Sequence, residues 1–426
     1  MRKIICTFAT SKMKQLSEIS AFRAFRSTDY KLYLTGRAVS QFGTSMQQTA
    51  VVWVIYTMTH SNFMLGVAVF AEQFPAFLLS VFGGIAADRY SRYKIVNITQ
   101  ITSMIQAVLL ALLVLTNHYV VWEILALSVI LGIINAFDVP ARQAMMHDVL
   151  YDEADLPSAL SLSSSTASLS RLVGPALSGI ILETFGAGIC FLINAISFGG
   201  IIVSLAFMKQ PKAAKPLGSK TNVWKELAEG VIYIRRTPAI LIMILFVAIA
   251  GLFVLPYTTL VPVFAKIVFN GNAKTFGYIS SFIAAGSIVG TIVIASLKKD
   301  APLRKILLGF SIILGISLIA FSQIRNFSIA MIIAVFIGFG AVAQFTTSNI
   351  IVQSESDPRM RGRVISILIM AMVGMTPVGS VIVGWVSQKI GAPNTLLCEG
   401  ILGLGVVLLF YYLMKKAGMK TTDSKH

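Results

Sequence analysis

The chain has 426 residues, of which 56% are hydrophobic and only 12% charged, and its formal net charge is +17. A water-soluble domain of this length needs more polar side chains than this to cover its surface. The composition therefore predicts an integral membrane protein. The positive charge would also fit nucleic-acid binding, but its distribution along the chain assigns it to membrane topology.

Twelve apolar segments are long enough to cross a bilayer as helices, which takes about 20 residues each. They lie near 31–57, 65–87, 95–116, 120–141, 159–183, 187–208, 238–265, 275–297, 303–322, 326–352, 362–387 and 394–414. The longest polar stretch follows the sixth segment and divides the chain in two. The expected organisation is an N-terminal tail at 1–30, a six-helix bundle at 31–208, a linker at 209–237, a second six-helix bundle at 238–414 and a C-terminal tail at 415–426.

The linker contains a predicted amphipathic helix at 223–234, because Leu227, Val231 and Ile234 fall on one stripe. Two interpretations stay open for this helix. It lies on the inner leaflet of the membrane as an interfacial helix, or it packs on the cytosolic face of the protein itself.

Basic residues concentrate in alternate connections, which predicts that both termini are cytosolic. The connections on that side hold Arg2, Lys3, Lys12, Lys14, Arg23, Arg26, Lys31, Arg89, Arg92, Lys94, Lys209, Lys212, Lys215, Lys220, Lys225, Arg235, Arg236, Lys298, Lys299, Arg304, Lys305, Arg359, Arg361, Arg363, Lys415, Lys416, Lys420 and Lys425. The other side keeps Lys266, Lys274, Arg325 and Lys389. The charge therefore predicts contact with anionic lipid headgroups and no nucleic-acid partner.

The two halves resemble each other at an offset of about 205 residues, where Gly174, Gly179 and Gly186 correspond to Gly379, Gly384 and Gly391. A six-plus-six parallel repeat is typical of transporters whose substrate site lies between two bundles. The expected fold class is therefore all-α, with twelve transmembrane helices in two six-helix bundles.

The stretch 83–94 resembles the loop signature between the second and third helices of the major facilitator superfamily. Its matching residues are Gly84, Asp88, Arg89, Arg92 and Lys94, whereas Ser91 replaces the usual glycine before the second arginine. The fifth segment contains Gly174-Pro175 and Gly179, which resemble the glycine-proline signature of the exporters in that superfamily. The segments 36–43 and 136–144 are similar to the branch of the enterobactin exporter and the macrolide efflux proteins, the drug:proton antiporter or transmembrane secretion effector proteins.

The resemblance implies a conformational latch on the cytosolic side, in which Asp88 faces the N-terminus of the eleventh helix. Its expected members are Gly84, Asp88, Arg89, Arg92, Lys94, Asp138 and Arg142. The alternative is that Asp88 only caps a turn and neutralises Arg89. Helix packing and hinge positions are expected at Arg171, Gly174, Pro175, Gly179, Pro377 and Gly379, since glycine allows close helix contact and proline bends a helix.

Ionisable residues inside a bilayer are costly and are therefore functional candidates. Glu72 is the first candidate for proton coupling and Asp138 the second, while Arg37, Arg171 and Glu399 also fall inside the predicted segments. The alternative is structural pairing, with Glu72 or a helix carbonyl satisfying Arg171.

Polar residues in four segments predict a substrate cavity. Arg37, Gln41, Thr44 and Gln48 form a helical stripe in the first segment, which is unfavourable against lipid. The other expected lining residues are Asn135, Tyr257, Gln344 and Thr347. Hydrogen bonding between helices is the alternative role for the stripe.

Cys6, Cys190 and Cys398 form no metal or redox motif, and the four histidines have no ligand spacing. The sequence contains no phosphate-binding loop, so we expect no enzyme, no metal and no cofactor, with a proton gradient as the energy source.

The predicted function is proton-coupled export of a small amphipathic molecule, a siderophore or a drug-like compound, by alternating access. A siderophore importer and a non-transporting sensor or scaffold are the alternatives. The resemblance implies a monomer in a bacterial inner membrane.

Overall fold

The computed structural model describes residues 20–117, 119–208, 223–298 and 300–416. Almost all of these residues are helical, and no strand occurs among them. The longer helices are α1 (Thr28–Thr59), α2 (Asn62–Arg89), α3 (Arg92–Leu115), α4 (Val121–Asp148), α5 (Leu156–Phe185), α6 (Ala187–Phe207), α7 (Val223–Arg236), α8 (Pro238–Phe253), α9 (Ala273–Ala295), α10 (Leu303–Gln323), α11 (Phe327–Glu355), α12 (Arg361–Ile390) and α13 (Ala392–Lys416). The predicted N-terminal tail up to residue 19, the start of the linker at 209–222 and the C-terminal tail from 417 lie outside the described residues, as do the basic residues expected there.

Ten helical segments in the described part of the chain are long and apolar enough to cross a membrane. They correspond to ten of the twelve segments expected from the sequence. The first and fifth expected segments form helices too, α1 and α5, but are not among the ten. These two helices are long enough yet more polar, since α1 carries the Arg37 stripe and α5 is rich in serine.

The seventh expected span is not one continuous α-helix. After α8, residues Leu255–Leu260 form a 3₁₀-helix, and Phe264–Val268 form a π-helix. Pro256 and Pro262 have no backbone N–H to donate, which explains why the regular helix is interrupted around them. Irregular backbone at membrane depth is tolerated only where protein or a cavity covers it, and Tyr257, Thr259 and Leu260 are all buried.

The chain forms two compact units. Unit 1 comprises Met1–Ala50 and Leu78–Gly218, and unit 2 comprises Val51–Phe77 and Ser219–His426, so α1 and α2 are each divided between the units. In unit 1, Tyr33, Met145 and Phe198 belong to one apolar core. In unit 2 the corresponding core includes Phe246 and Phe410, whose ring centroids are 4.5 Å apart.

Small residues bring helices together at corresponding places in each unit. In unit 1, α5 packs on α1 through Gly174, where a Cβ would collide with the Ser45 hydroxyl. One turn away on either side, the hydroxyls of Ser170 and Ser178 donate to backbone carbonyls of α1 at 2.7 and 3.0 Å. In unit 2, α12 packs on α8 through Gly379, where a Cβ would collide with the Leu252 carbonyl oxygen. Gly174 and Gly379 are one of the glycine pairs that correspond at the sequence offset of about 205 residues.

The helix α7 packs on α12 inside unit 2. Arg363 Nη1 lies 2.6 Å from Glu229 Oε2, and a Cβ on Gly230 would lie 2.9 Å from the Ile367 side chain. Ile234, one of the predicted stripe residues, is buried in the apolar core of the unit. These contacts are those expected of a helix packed on the protein, whereas Val231, another residue of the predicted stripe, is 40% exposed.

Candidate functional site

The basic loop between α2 and α3 begins at a close helix contact. A Cβ on Gly83 would collide with the Ala136 carbonyl oxygen of α4, whereas Gly84, the residue that matches the motif, has open space around it. The tight backbone approach therefore explains a glycine at 83. Asp88, Arg89 and Lys94 are exposed at the end of the hairpin.

Arg92 ties the start of α3 to the end of α4. Its Nη1 lies 3.0 Å from Asp148 Oδ1 and donates to the Ala144 carbonyl oxygen at 3.2 Å. Asp148 is the last residue of α4, where a carboxylate opposes the helix dipole, and Arg92 offsets this unfavourable placement. The structure thus places Arg92 beside Asp148, a residue that the sequence analysis did not single out, and Arg142 beside Asp138.

Asp138 is a buried carboxylate with donors on both oxygens. Its Oδ1 accepts from Thr99 Oγ1 at 2.9 Å and from Gln100 Nε2 at 2.8 Å, and its Oδ2 lies 3.4 Å from Arg142 Nη2. Only 4% of Asp138 is exposed. These three partners compensate for part of the hydration that the buried carboxylate has lost.

The four residues of the stripe predicted on the first segment lie on α1, and their side chains differ in exposure. Arg37, Gln41 and Thr44 are half-buried and Gln48 is exposed. Thr44 Oγ1 donates to the Ser40 carbonyl oxygen at 2.9 Å, one turn earlier in the same helix. Asn135, on α4, is half-buried.

An amide network next to this stripe was missed by the sequence analysis. Asn194 Nδ2 donates to Gln47 Oε1 at 2.8 Å, and Gln47 Nε2 donates to Gln106 Oε1 at 3.0 Å. Gln106 Nε2 then donates to the Leu127 carbonyl oxygen at 3.1 Å. The chain of bonds links α1, α3, α4 and α6 within unit 1. The signal was present in the sequence, since an amide inside an apolar segment requires a partner.

Three expected cavity residues of the second half are buried in unit 2. Tyr257 and Gln344 are each 6% exposed, and Thr347 is fully buried with no hydrogen-bond partner for its hydroxyl among the described residues. Gln344 lines a small cavity together with Ser311, Phe246 and Gly403. The helices α8, α10, α11 and α13 enclose this cavity, and most of its lining side chains are apolar.

The remaining predicted residues lie in varied surroundings. Glu72 is half-buried on α2, and Arg171 is exposed on α5, where its Nη2 lies 3.4 Å from Ser168 Oγ. Pro175 and Gly179 are buried in α5, as Pro377 and Gly379 are in α12. No group of three or more metal-ligating side chains occurs in the described parts of the chain.

The sequence matches the family described as transmembrane secretion effector over residues 19–426. The chain is similar to a staphyloferrin A transporter of Staphylococcus aureus, at 28% identity over 94% of this chain and 98% of the relative. It is also similar to macrolide efflux protein A of Streptococcus pyogenes, at 23% identity over 88% and 93% of the two chains. The multidrug efflux pump Tap of Mycolicibacterium fortuitum shares 21% identity over 86% and 92%.

Solved structures show the same fold at low sequence identity. A bacterial homolog of the human lysosomal transporter Spinster, in an inward-facing and unoccupied conformation, matches with a TM-score of 0.71 at 14% identity, covering 94% of this chain and 99% of that chain. The nucleoside transporter NupG matches with a TM-score of 0.70 at 12% identity, covering 91% and 99%. Together with the match over residues 19–426, these findings show that the chain belongs to the transmembrane secretion effector family of the major facilitator superfamily.

Proposed function

We propose that this membrane transporter is a proton-coupled exporter of a small amphipathic molecule, a siderophore or a drug-like compound. The observation that carries the proposal is the family match along almost the whole chain, with relatives that are named as a staphyloferrin A transporter and as a macrolide efflux protein. The Gly174-Pro175 and Gly179 signature of exporters supports the outward direction. Import of a siderophore is the second candidate, since the name of the first relative gives no direction.

The proposed architecture has twelve transmembrane helices in two six-helix bundles, at 31–208 and 238–414, with α1 and α5 as the two more polar spans. The excess of basic residues in alternate connections supports cytosolic termini. The bacterial relatives support a place in a bacterial inner membrane. The chain works as a monomer that alternates access to its substrate. The polar residues proposed to contact substrate are Arg37 and Gln41 in unit 1 and Tyr257 in unit 2, with the other polar residues predicted from the sequence.

Two carboxylates are proposed proton carriers. Glu72 is half-buried on a predicted span, and a carboxyl there can exchange protons as its surroundings change between conformations. Asp138 is the second candidate, because Thr99, Gln100 and Arg142 already contact its two oxygens. Its proposed role is in the latch with Arg142 and the loop residues Asp88 and Arg92.

The experiment compares the culture medium of a deletion strain and its parent under iron limitation by untargeted mass spectrometry. For a siderophore exporter we expect a chelator that is missing from the medium of the deletion strain and returns on complementation. A chelator that instead accumulates unconsumed would establish the importer. An unchanged medium would refute the siderophore substrate, and accumulation of macrolides and dyes in the two strains would then test the drug-like class.

The variant Glu72→Gln distinguishes a role of Glu72 in proton coupling from a role in substrate binding. We expect this variant to bind substrate and to lose accumulation driven by a pH gradient in membrane vesicles. Full gradient-driven transport by Glu72→Gln would remove Glu72 from the coupling role and leave the transporter assignment intact.

A further inference from the structure

Unit 2 contains a buried carboxyl group for which the described part of the chain offers neither a charge partner nor a hydrogen-bond donor. Glu399 on α13 is 3% exposed, and neither of its side-chain oxygens has a hydrogen-bond partner among the described residues. The other buried carboxylates among the described residues have partners, since Asp138 has three and Asp155 lies 3.2 Å from Arg23 Nε. Glu399 is therefore in an environment that an ionised carboxylate tolerates poorly.

Glu399 faces the interrupted segment that follows α8. One turn further along α13, a Cβ on Gly403 would be in ordinary contact with Val254, at 3.5 Å, so this face of α13 packs on the end of α8. Tyr257 lies in the 3₁₀-helix just beyond, is itself buried, and is close enough to Glu399 to interact with it electrostatically. On the same segment, Thr259 has a fully buried hydroxyl without a partner among the described residues.

No cation from the neighbouring described helices balances Glu399. The helix α8 has no titratable residue. The helix α10 carries Arg304 and Lys305 in its first turn, but it meets α13 at Gly315, whose carbonyl oxygen would lie 2.9 Å from a Cβ on Gly400. The helix α12 carries Arg361, Arg363 and Lys389 only near its ends. Tyr257 is thus the titratable group that the elements packed on α13 present to Glu399.

A small cavity with a mostly apolar lining begins one helical turn from the carboxyl group. It is lined by Gly403 and Val254, which lie next to Glu399 and Tyr257 along their segments, and by Ser311 and Gln344. A hydroxyl and an amide are the kind of partners that hold a buried water. Neither Glu399 nor Tyr257 lines the cavity, so a proton that passes between the carboxyl group and water there crosses about one helical turn.

We propose that Glu399 is a proton-binding site in unit 2, with the Tyr257 hydroxyl as its neighbour and the Ser311–Gln344 cavity as its route to water. In the conformation described here the carboxyl group holds its proton, because an uncompensated charge at this depth is unfavourable. On release, the carboxyl O–H bond breaks, the proton passes to a water molecule and the carboxylate accepts a hydrogen bond from Tyr257. That the proton is exchanged during a transport cycle rests on the proposed function, whereas the protonation itself does not.

Infrared spectroscopy of the full-length protein in lipid nanodiscs tests the protonation directly. We expect the wild type at neutral pH to show the C=O stretching band of a protonated carboxyl group, and we expect Glu399→Gln to lose it. Glu183→Gln, which alters an exposed carboxylate on α5, is the matched control and should retain the band. Exchange into heavy water should shift the band if the cavity connects Glu399 to solvent. A band that Glu399→Gln leaves unchanged, or one that never responds to heavy water, would overturn the proposal.

A second variant guards against misfolding. Glu399→Asp keeps the carboxyl group and shifts its position, so the infrared band should change frequency and not vanish, even if Glu399→Gln folds poorly.

In vesicles, Glu399→Gln should keep substrate exchange in the absence of a gradient and lose accumulation driven by a pH gradient. Wild-type gradient coupling in Glu399→Gln would overturn its role in transport. If the wild type itself shows no gradient-driven transport, the proposed function fails, while the infrared band still decides the proton site.

Discussion

The Asp138 cluster should contribute strongly to the stability of unit 1, because its carboxylate is buried and held by three donors. Removing one partner of such a pair leaves an uncompensated group, at a cost of about 3–5 kcal/mol. We therefore expect Asp138→Asn to lower the thermal unfolding temperature of the detergent-solubilised protein clearly. Thr99→Val removes one donor to the charge and should cost about 1.5–3 kcal/mol.

Asp148→Asn is the control for this prediction, because the Arg92–Asp148 pair is more exposed, with 18% and 19% of the two side chains accessible. Its loss should cost only about 1 kcal/mol. Equal shifts in unfolding temperature for Asp138→Asn and Asp148→Asn would contradict the view that burial decides the contribution of each carboxylate.

The sequence identified some of these groups and missed others for a common reason. Asp138 and Arg142 are one helical turn apart, so local spacing predicts their contact. Thr99 and Gln100 on α3 donate hydrogen bonds to Asp138, and Asn194 on α6 donates one to Gln47. These contacts were not predictable, because the sequence does not show which faces of separate helices meet. Glu399 was recognised as an ionisable residue in a span, but its lack of a partner is a property of the packed unit.

Among the helices, Gly379 should be intolerant of any side chain. An added Cβ would collide with the Leu252 carbonyl oxygen and lie 2.7 Å from Pro256 Cγ, so α12 would have to move away from α8. Such overpacking costs about 1–3 kcal/mol. We expect Gly379→Ala to unfold at lower temperature than the wild type.

Gly309→Ala provides the matched control, because this glycine on α10 has no atom within 4 Å of an added Cβ. There the substitution should be neutral or stabilise the helix by up to about 1 kcal/mol, since alanine has the higher helix propensity. A destabilised Gly309→Ala together with a tolerant Gly379→Ala would refute the assignment of Gly379 to a close helix contact.

The docking of α7 on unit 2 should depend on its apolar side more than on its ion pair. Arg363 and Glu229 lie 2.6 Å apart, but 30% and 43% of their side chains are exposed. We expect Arg363→Ala to cost about 0.2–1 kcal/mol. Ile234 is 5% exposed, and Ile234→Ala should cost about 2–5 kcal/mol. Chemical denaturation of both variants checks this order, and a larger loss for Arg363→Ala would reverse the interpretation.

Helix positions were predictable from the sequence, and helix interruptions were not. The apolar run at 95–116 corresponds to the helix Arg92–Leu115, and the run at 187–208 corresponds to the helix Ala187–Phe207. The bounds agree because the length of the apolar run and the flanking loop residues determine such spans. The run at 238–265 gave no sign of where its helix stops, since apolar composition continues through Pro256 and Pro262. Where a proline bends a helix and where it interrupts one depends on the neighbours that satisfy the freed backbone groups.

For the whole molecule, a cluster of polar contacts inside unit 2 suggests a test of alternating access. The segment Val51–Phe77 meets α12 where Asn62 Nδ2 donates to Ser387 Oγ at 2.8 Å and the Asn62 backbone N–H donates to Gln388 Oε1 at 2.7 Å. Glycines bring the backbones close as well, since a Cβ on Gly384 would lie 2.6 Å from the Asn62 carbonyl oxygen. In the proposed topology this contact lies toward the outer side of the membrane.

An exporter that alternates access has to open this contact once in each cycle, because substrate leaves on the outer side. We expect a cross-link between Asn62→Cys and Ser387→Cys, made in a background without Cys6, Cys190 and Cys398, to arrest transport in vesicles, and we expect a reductant to restore it. Each single cysteine variant, treated identically, should keep its activity. Because a short bridge holds the two segments together and leaves the substrate-binding residues chemically unchanged, binding to the arrested protein should persist. Full transport by the cross-linked protein would show that Val51–Phe77 and α12 remain together throughout the cycle, and the opening would then have to occur elsewhere.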